Sequence, residues 1–235
     1  MNTNQYNFSD DDWSDSDDDF DWISSHIHSY ENKFLCEVEE SYIRDEFNLY
    51  GLKPYFDYYE DALQIILSEK LIEDYDRKIQ NNIYLECKLL YGMIHARYIV
   101  TNHGINKMIK KYKDCEFGFC PRSLCEEQAV LPVGMNSIPY LGKVKLYCPC
   151  CKEIYNIPDG FPGSEMDGAF FGPTFPHLLL LGSKNIPEFV PYEPTIFGFG
   201  ITTEKAEHGD FVYSRKNFFE DENKVKEVDV DSDEN

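Results

Sequence analysis

CPRSLC (120–125) and CPCC (148–151) are the two stretches around which this chain is expected to fold, because each holds two cysteines in a tight turn. The segment between them has 22 residues, which is the length of a hairpin. Thiolates arranged in two close pairs can complete a tetrahedral shell around one Zn²⁺ ion. The predicted ligands are Cys120, Cys125, Cys148 and Cys151. Such a shell leaves no position for water, so we expect one structural ion per chain and no catalytic metal.

Two further cysteines leave the ligand set open. Cys150 lies between Cys148 and Cys151, and Cys115 forms another close pair with Cys120. A gap of two residues suits a turn whose backbone N–H groups point at the sulfur atoms, so the spacing favours Cys148 and Cys151. The role of Cys150 stays open at this point.

The strong negative charge is concentrated at the two ends of the chain. The sequence has 43 acidic against 22 basic residues, a net charge of −21, of which −8 lies in residues 1–22 and −6 in residues 220–235. Such segments repel themselves and bury little, so we expect disordered acidic tails at residues 1–21 and 206–235. The charge also argues against nucleic acid as a partner, since phosphate binding needs clustered Lys and Arg.

Apolar spacing predicts an α-helical domain over residues 22–114. The strongest pattern recurs every three or four residues from Ile83 to Tyr98, and Asp21 is a candidate N-cap for a first short helix. Residues 36–52 are expected to form a strand-like start followed by a helix that ends near Gly51.

From Cys115 onward, Gly, Pro, Cys and short β-prone runs replace the helical pattern. We therefore predict an α+β fold in which the helical domain packs on a Cys₄ zinc ribbon with short antiparallel strands, at residues 115–182. FFGPTFPHLLLL (170–181), with its two prolines, is expected to form strands and turns, and residues 195–202 are expected to form a strand or hairpin.

The motifs argue against an enzyme. The chain has no glycine-rich phosphate loop and no HRD or DFG triplet, and its six histidines are scattered. One alternative is a thiol enzyme that uses Cys115 or Cys150, and another is a nucleic-acid-binding zinc ribbon of the transcription-factor type. The acidic N-terminus does not resemble a signal peptide and no apolar stretch is long enough to cross a bilayer, so we expect a cytoplasmic and nuclear location.

Three serines in the acidic leader each precede aspartates. Ser9, Ser14 and Ser16 match the substrate pattern of an acidophilic kinase, whose basic pocket pairs with the downstream charge. They are candidate phosphorylation sites, although the same tail can also serve simply to keep the protein soluble.

Several long stretches resemble the regulatory (beta) subunit family of casein kinase II. They follow the family order over roughly residues 22–202: CEVEESYIRDEFNLYGL (36–52), LYGMIHARYIVTNHGI (90–105), FGFCPRSLCE (117–126), VKLYCPCC (144–151), DGAFFGPTFPHLLL (167–180) and FGFGI (197–201).

The resemblance implies a scaffold protein. Family members pair through their zinc ribbons and dock catalytic kinase subunits through a C-terminal hairpin, which gives a tetramer of two regulatory and two catalytic chains. The docking segment falls at residues 183–205, with its contacts at Phe197, Gly198, Phe199 and Ile201. The family's regulatory chain stabilises the kinase, changes its choice of protein substrates and is phosphorylated at its N-terminus.

Some residues depart from the family pattern. Cys150 stands where the family usually has Lys, Phe197 where it usually has Tyr, and Gly200 where Lys is common. Basic residues reduce the negative charge of the loop at residues 68–80, which is acidic in the family. The C-terminal tail is acidic where the family tail is often basic. We therefore expect an affinity for the kinase that differs from the family's, and the polyamine response of this chain stays open.

Overall fold

The computed structural model describes residues 21–70, 72, 75–183, 195–197 and 199–200. In these ranges the chain forms helices, mainly in its first half, and short strands. The helices are α1 Trp22–His28, α2 Glu40–Ile43, α3 Glu46–Leu49, α4 Tyr59–Ile66, α5 Arg77–Tyr98, α6 Asn102–Lys113 and α7 Phe175–Gly182. The strands are β1 Leu131–Val133, β2 Lys145–Tyr147, β3 Ile154–Asn156, β4 Thr195–Ile196 and β5 Phe199–Gly200.

Helix starts agree with the capping signals in the sequence. The Asp21 carboxylate accepts the Ile23 N–H and caps α1, while the Thr101 hydroxyl accepts the Gly104 N–H and caps α6. The long helix α5 buries the predicted apolar face and begins at Arg77, six residues before the first residue of that pattern.

Residues 36–52 differ from the expectation of a strand-like start and one helix. They contain two short helices, α2 and α3, and no strand. The interruption occurs at Asp45, whose carboxylate accepts the Phe47 N–H and so caps a new helix. An aspartate that satisfies a backbone donor in this way favours a helix start over continuation of the preceding helix.

The strands predicted over residues 170–181 were wrong, whereas part of the predicted turns is present. A 3₁₀ turn covers Gly168–Phe170, turns continue over residues 171–174, and α7 occupies Phe175–Gly182. Pro176 lies in the first turn of α7, where the missing N–H costs nothing, and the leucines that follow are strong helix formers. Proline therefore marks the start of this helix.

The ribbon is a three-stranded antiparallel sheet in the order β1–β2–β3, with Leu131 opposite Tyr147 and Leu146 opposite Tyr155. One hydrophobic core runs continuously from the helical part into this sheet. The sheet is small, so its stability depends on this core and on the turns that hold the cysteines.

Helix α5 contacts the ribbon part at two points. Gly92 lets the Phe170 ring approach so closely that a Cβ at this position would collide with it. One turn later, the buried His95 accepts the Cys36 N–H at 3.1 Å through Nε2 and donates from Nδ1 to the Phe170 carbonyl at 2.8 Å. These contacts fix the ribbon side of the core against the helical side.

Among the described residues, no helix combines the length and apolar composition that a membrane span requires.

Candidate metal centre

Two turns bring the four predicted ligands together. Cys120 and Cys125 precede β1, and Cys148 and Cys151 lie in the turn between β2 and β3. All four thiols are buried and their Sγ atoms lie within 4.8 Å of one another. The Cys120 and Cys151 Sγ atoms lie 3.8 Å apart, and the Cys125 and Cys148 Sγ atoms lie 4.0 Å apart.

These separations match a zinc shell. Four sulfur atoms placed at the usual Zn–S distance of about 2.3 Å in a tetrahedron are about 3.8 Å apart. The sulfur atoms of the ribbon therefore need little movement to bind one ion. The donor set is also appropriate, since four buried thiolates are typical of structural zinc sites.

The turn between β2 and β3 directs backbone N–H groups at the sulfur atoms. The N–H groups of Cys150 and Cys151 hydrogen-bond the Cys148 thiol, and the Glu153 N–H hydrogen-bonds the Cys151 thiol. The turn itself is closed by hydrogen bonds in both directions, from the Lys152 N–H to the Cys148 carbonyl at 2.8 Å and from the Cys148 N–H to the Glu153 carbonyl at 3.0 Å. Such donors offset the negative charge of thiolate ligands.

The pKa shifts of Cys125, Cys148 and Cys151 differ in direction. Burial raises the pKa of Cys148 to about 12 and also raises the pKa of Cys125. Burial acts to raise the pKa of Cys151 as well, but hydrogen bonds from Tyr155 and the Glu153 N–H outweigh it and lower that pKa to about 7. The Cys125 and Cys148 thiols therefore favour the neutral form until a cation is present, and metal binding must release their protons.

Two residues at the site were missed by the sequence reasoning. The Tyr155 hydroxyl on β3 lies 3.3 Å from the Cys151 Sγ, and the Arg122 guanidinium hydrogen-bonds the Cys125 and Cys151 thiols. A zinc ion with four thiolates carries two net negative charges, which both donors would stabilise. Two signals were available, because Arg122 lies inside CPRSLC and Tyr155 lies only four residues after Cys151.

Comparison with known proteins decides which family contains this cysteine ribbon. The family model of the casein kinase II regulatory subunit matches residues 21–200. This chain belongs to that family.

The relatives cover most of the chain. Casein kinase II subunit beta of Schizosaccharomyces pombe is 42% identical over 199 residues, which are 82% of this chain and 84% of the relative. Subunit beta-3 of Arabidopsis thaliana is 43% identical, over 78% of this chain and 68% of the relative. Subunit beta of Dictyostelium discoideum is 39% identical, over 86% and 76%.

The family settles the broad class of the protein. These relatives are named as regulatory beta subunits of casein kinase II, so the expectation of a non-catalytic regulatory protein is confirmed. The transcription-factor alternative receives no support from these matches.

Two of the kinase-docking residues predicted from the family resemblance, Phe197 and Phe199, lie in a short hairpin. Strands β4 and β5 pair with Ile196 opposite Phe199, and Phe197 lies in the turn between them. Phe197 is 95% exposed and has a left-handed backbone, with φ at 52°. Gly198 and Ile201 lie outside the described residues, as do the candidate phosphorylation sites Ser9, Ser14 and Ser16.

The two spare cysteines differ in position. The Cys115 Sγ lies 3.7 Å from the Lys113 carbonyl and is not part of the cluster. Cys150 is buried in the turn between β2 and β3, next to Cys151, but it is not one of the four clustered cysteines either. The structure therefore keeps the ligand set to the four cysteines that the spacing favoured.

Proposed function

We propose that this chain is a zinc-containing scaffold that dimerises through its ribbon and docks catalytic subunits of casein kinase II. The observation that carries the proposal is the buried cluster of four cysteines, at separations suited to zinc, in a chain of the regulatory subunit family. The chain acts by holding kinase subunits in a defined assembly, with two regulatory and two catalytic chains.

In this proposal Cys120, Cys125, Cys148 and Cys151 hold one Zn²⁺ per chain. The ion cross-links the turn before β1 to the turn between β2 and β3, and supplies folding energy to a sheet whose strands have only three residues each. Tyr155 and Arg122 donate hydrogen bonds to the ligand sulfurs.

The ribbon offers a surface for a second copy of the chain. Three large apolar side chains lie exposed close to the ligands along the sequence: Phe119 beside Cys120, Leu124 beside Cys125, and Ile154 at the start of β3. Exposed apolar groups around a metal-stiffened turn favour association, because burial removes their surface from water without disordering the backbone. The family's dimerisation through its ribbon supports the second copy as the occupant.

The hairpin of β4 and β5 is proposed to dock the kinase through Phe197, Gly198, Phe199 and Ile201. The exposed Phe197 ring supports this role, since an aromatic side chain presented at a hairpin turn is a suitable anchor for a partner pocket. Loss of two buried aromatic contacts would remove much of the affinity.

The remaining elements of the proposal concern regulation. The docked chain stabilises the kinase and changes its choice of protein substrates, and the kinase phosphorylates Ser9, Ser14 and Ser16 in the acidic leader. The assembly works in the cytoplasm and the nucleus. The division into leader, helical domain, ribbon, docking segment and acidic tail belongs to the same proposal.

Native mass spectrometry of the full chain mixed with a casein kinase II catalytic subunit tests the proposal. The expected species is a two-plus-two complex with one zinc ion per regulatory chain. A zinc-loaded dimer that does not bind the kinase would refute the docking function. A zinc-free monomer would refute both the zinc site and the dimer.

A further inference from the structure

A groove lies between helix α5 and the loops of the ribbon, and none of the four clustered cysteines lines it. Its volume is about 670 Å³, which is within the range of about 300–1,000 Å³ that ligand pockets occupy. Three exposed aromatic side chains line this ribbon groove: Tyr30, Tyr140 and Phe161. Tyr140 belongs to the loop between β1 and β2, so antiparallel pairing places it and the cysteine turns at opposite ends of these strands.

Tyr140 is presented to the groove by a backbone conformation that tyrosine rarely adopts. The residue is 80% exposed and has a left-handed backbone, with φ at 66°. Its N–H donates to Oδ2 of Asp167, whose Oδ1 accepts the Ala169 N–H, and these two hydrogen bonds hold the loop in place. The unfavourable backbone gains little from burial of the ring. Phe197 in the docking hairpin combines the same two features, which indicates that Tyr140 contacts a partner.

The charges at the groove favour a basic partner group. Lys143 is paired with Glu165 at 2.6 Å, and the Lys88 ammonium lies 4.3 Å from the ring centroid of Tyr84, a residue outside the groove. The exposed Glu31 carboxylate forms no ion pair with any residue that the structure describes. Glu31 therefore offers an unpaired negative charge beside aromatic rings, whose faces also attract cations.

The acidic leader adds to the negative potential of this region. Residues 1–22 carry a charge of −8 and lead directly into α1, on which His26 lines the groove. Because a helix rises 1.5 Å per residue, Asp21 lies about 8 Å from His26 along the axis of α1. A charge of this size attracts basic segments and repels acidic ones.

We propose that the ribbon groove binds protein substrates of the docked kinase, through a short segment in which a Lys or Arg lies among apolar residues. The inference rests on the proposed function and identifies a surface by which the chain changes the choice of substrates. The aromatic rings contact the apolar side chains, and Glu31 pairs with the cation. An acidophilic kinase requires acidic residues next to the phosphorylated serine, so the basic segment is a separate part of the substrate and leaves that serine to the catalytic subunit.

A positional-scanning library of nine-residue synthetic peptides tests binding to the full-length chain by fluorescence polarisation. Lys or Arg at the central position, with apolar neighbours, is the expected selection. The selected peptide should bind Tyr140→Ala about tenfold more weakly and Glu31→Gln about threefold more weakly. Tyr50→Ala is the matched control and should bind like wild type, because Tyr50 is 83% exposed but does not line the groove.

A kinase assay with the assembled regulatory and catalytic chains tests whether the occupant is a substrate. The selected peptide is joined by a flexible linker to an acidic peptide that contains one serine. The joined peptide should have a KM about tenfold lower than the acidic peptide alone, at unchanged kcat, because binding to the groove raises its effective concentration at the kinase. Tyr140→Ala in the regulatory chain should remove this difference.

Selection of acidic peptides, absence of any selection, or equal affinity of wild type and Tyr140→Ala would overturn the inference. Equal KM values for the joined and unjoined peptides would overturn the assignment of substrates as the occupant. A chain that binds the peptide but forms no complex with the catalytic subunit in native mass spectrometry would refute the proposed function, and substrate recruitment with it. A complex that forms without peptide binding would refute this inference alone.

Discussion

Replacement of Phe197 by alanine tests the docking surface without disturbing the fold. The ring is 95% exposed in the free chain, so its removal leaves no cavity. Alanine also keeps a Cβ, so the left-handed backbone at φ 52° has about the same cost in conformational free energy in the variant as in the wild type. Any loss of binding then reports on the ring itself.

The magnitude follows from the area that docking would bury. Transfer of a phenylalanine side chain from water into a pocket contributes about 1.5–3 kcal/mol. Since each 1.4 kcal/mol corresponds to tenfold in affinity, the Kd for the catalytic subunit should rise about tenfold to 150-fold. The number of chains in the regulatory dimer should not change.

Isothermal titration of the catalytic subunit with the zinc-loaded chain measures this effect. Phe47→Ala is the matched control, because Phe47 is also highly exposed, at 85%, but lies on α3 in the helical part. A Kd within about twofold of wild type for Phe197→Ala would refute the docking assignment. Equal weakening by Phe47→Ala would show that the loss is not specific to the hairpin.

Three further predictions concern the metal, the pH dependence and the core. Cys148→Ser should lose zinc and the dimer together in native mass spectrometry, and a stable dimer without zinc would contradict the structural role of the ion. Burial, with a contribution from the charge of Lys88, lowers the pKa of His26 to about 4. Since the unfolded side chain titrates near 6.5, the unfolded state binds the extra proton between these values and stability falls as pH falls. Wild type should therefore lose about 2 kcal/mol more than His26→Phe between about pH 7.5 and about pH 5 in urea unfolding, and equal losses would refute the burial of a neutral imidazole. Gly92→Ala should destabilise the fold by about 1–3 kcal/mol through collision with Phe170, whereas Gly142→Ala, with open space around it, should be close to neutral in the same assay.

Local signals in the sequence were sufficient to predict where helices start and which turns hold the four clustered cysteines. Asp21 and Thr101 cap helices through contacts with residues two or three positions ahead, so their effect is visible in a short window of sequence. The two cysteine pairs are equally local. Their spacing predicted the four sulfur atoms that the structure brings within 4.8 Å.

Prediction failed where a local pattern allowed two structures. The aromatic and proline-rich segment that forms α7 has the composition of strands and turns, but its leucines pack as a helix against the core. The helix break at Asp45 likewise depends on which backbone donor its carboxylate reaches. Tertiary packing selects between such alternatives because their local free energies are close.

The sequence by itself determined the family, the four candidate ligands and the helical first half, since each depends on residue types at short, fixed spacing. The tertiary structure alone decided what surrounds the ligands. Folding brings the turn before β1 to the turn between β2 and β3, so that the Cys120 Sγ lies 3.8 Å from the Cys151 Sγ and the Cys125 Sγ lies 4.0 Å from the Cys148 Sγ. These contacts join residues that are far apart in the chain, so which sulfur atom meets which depends on the path of the whole ribbon and cannot be read from the spacing within either turn.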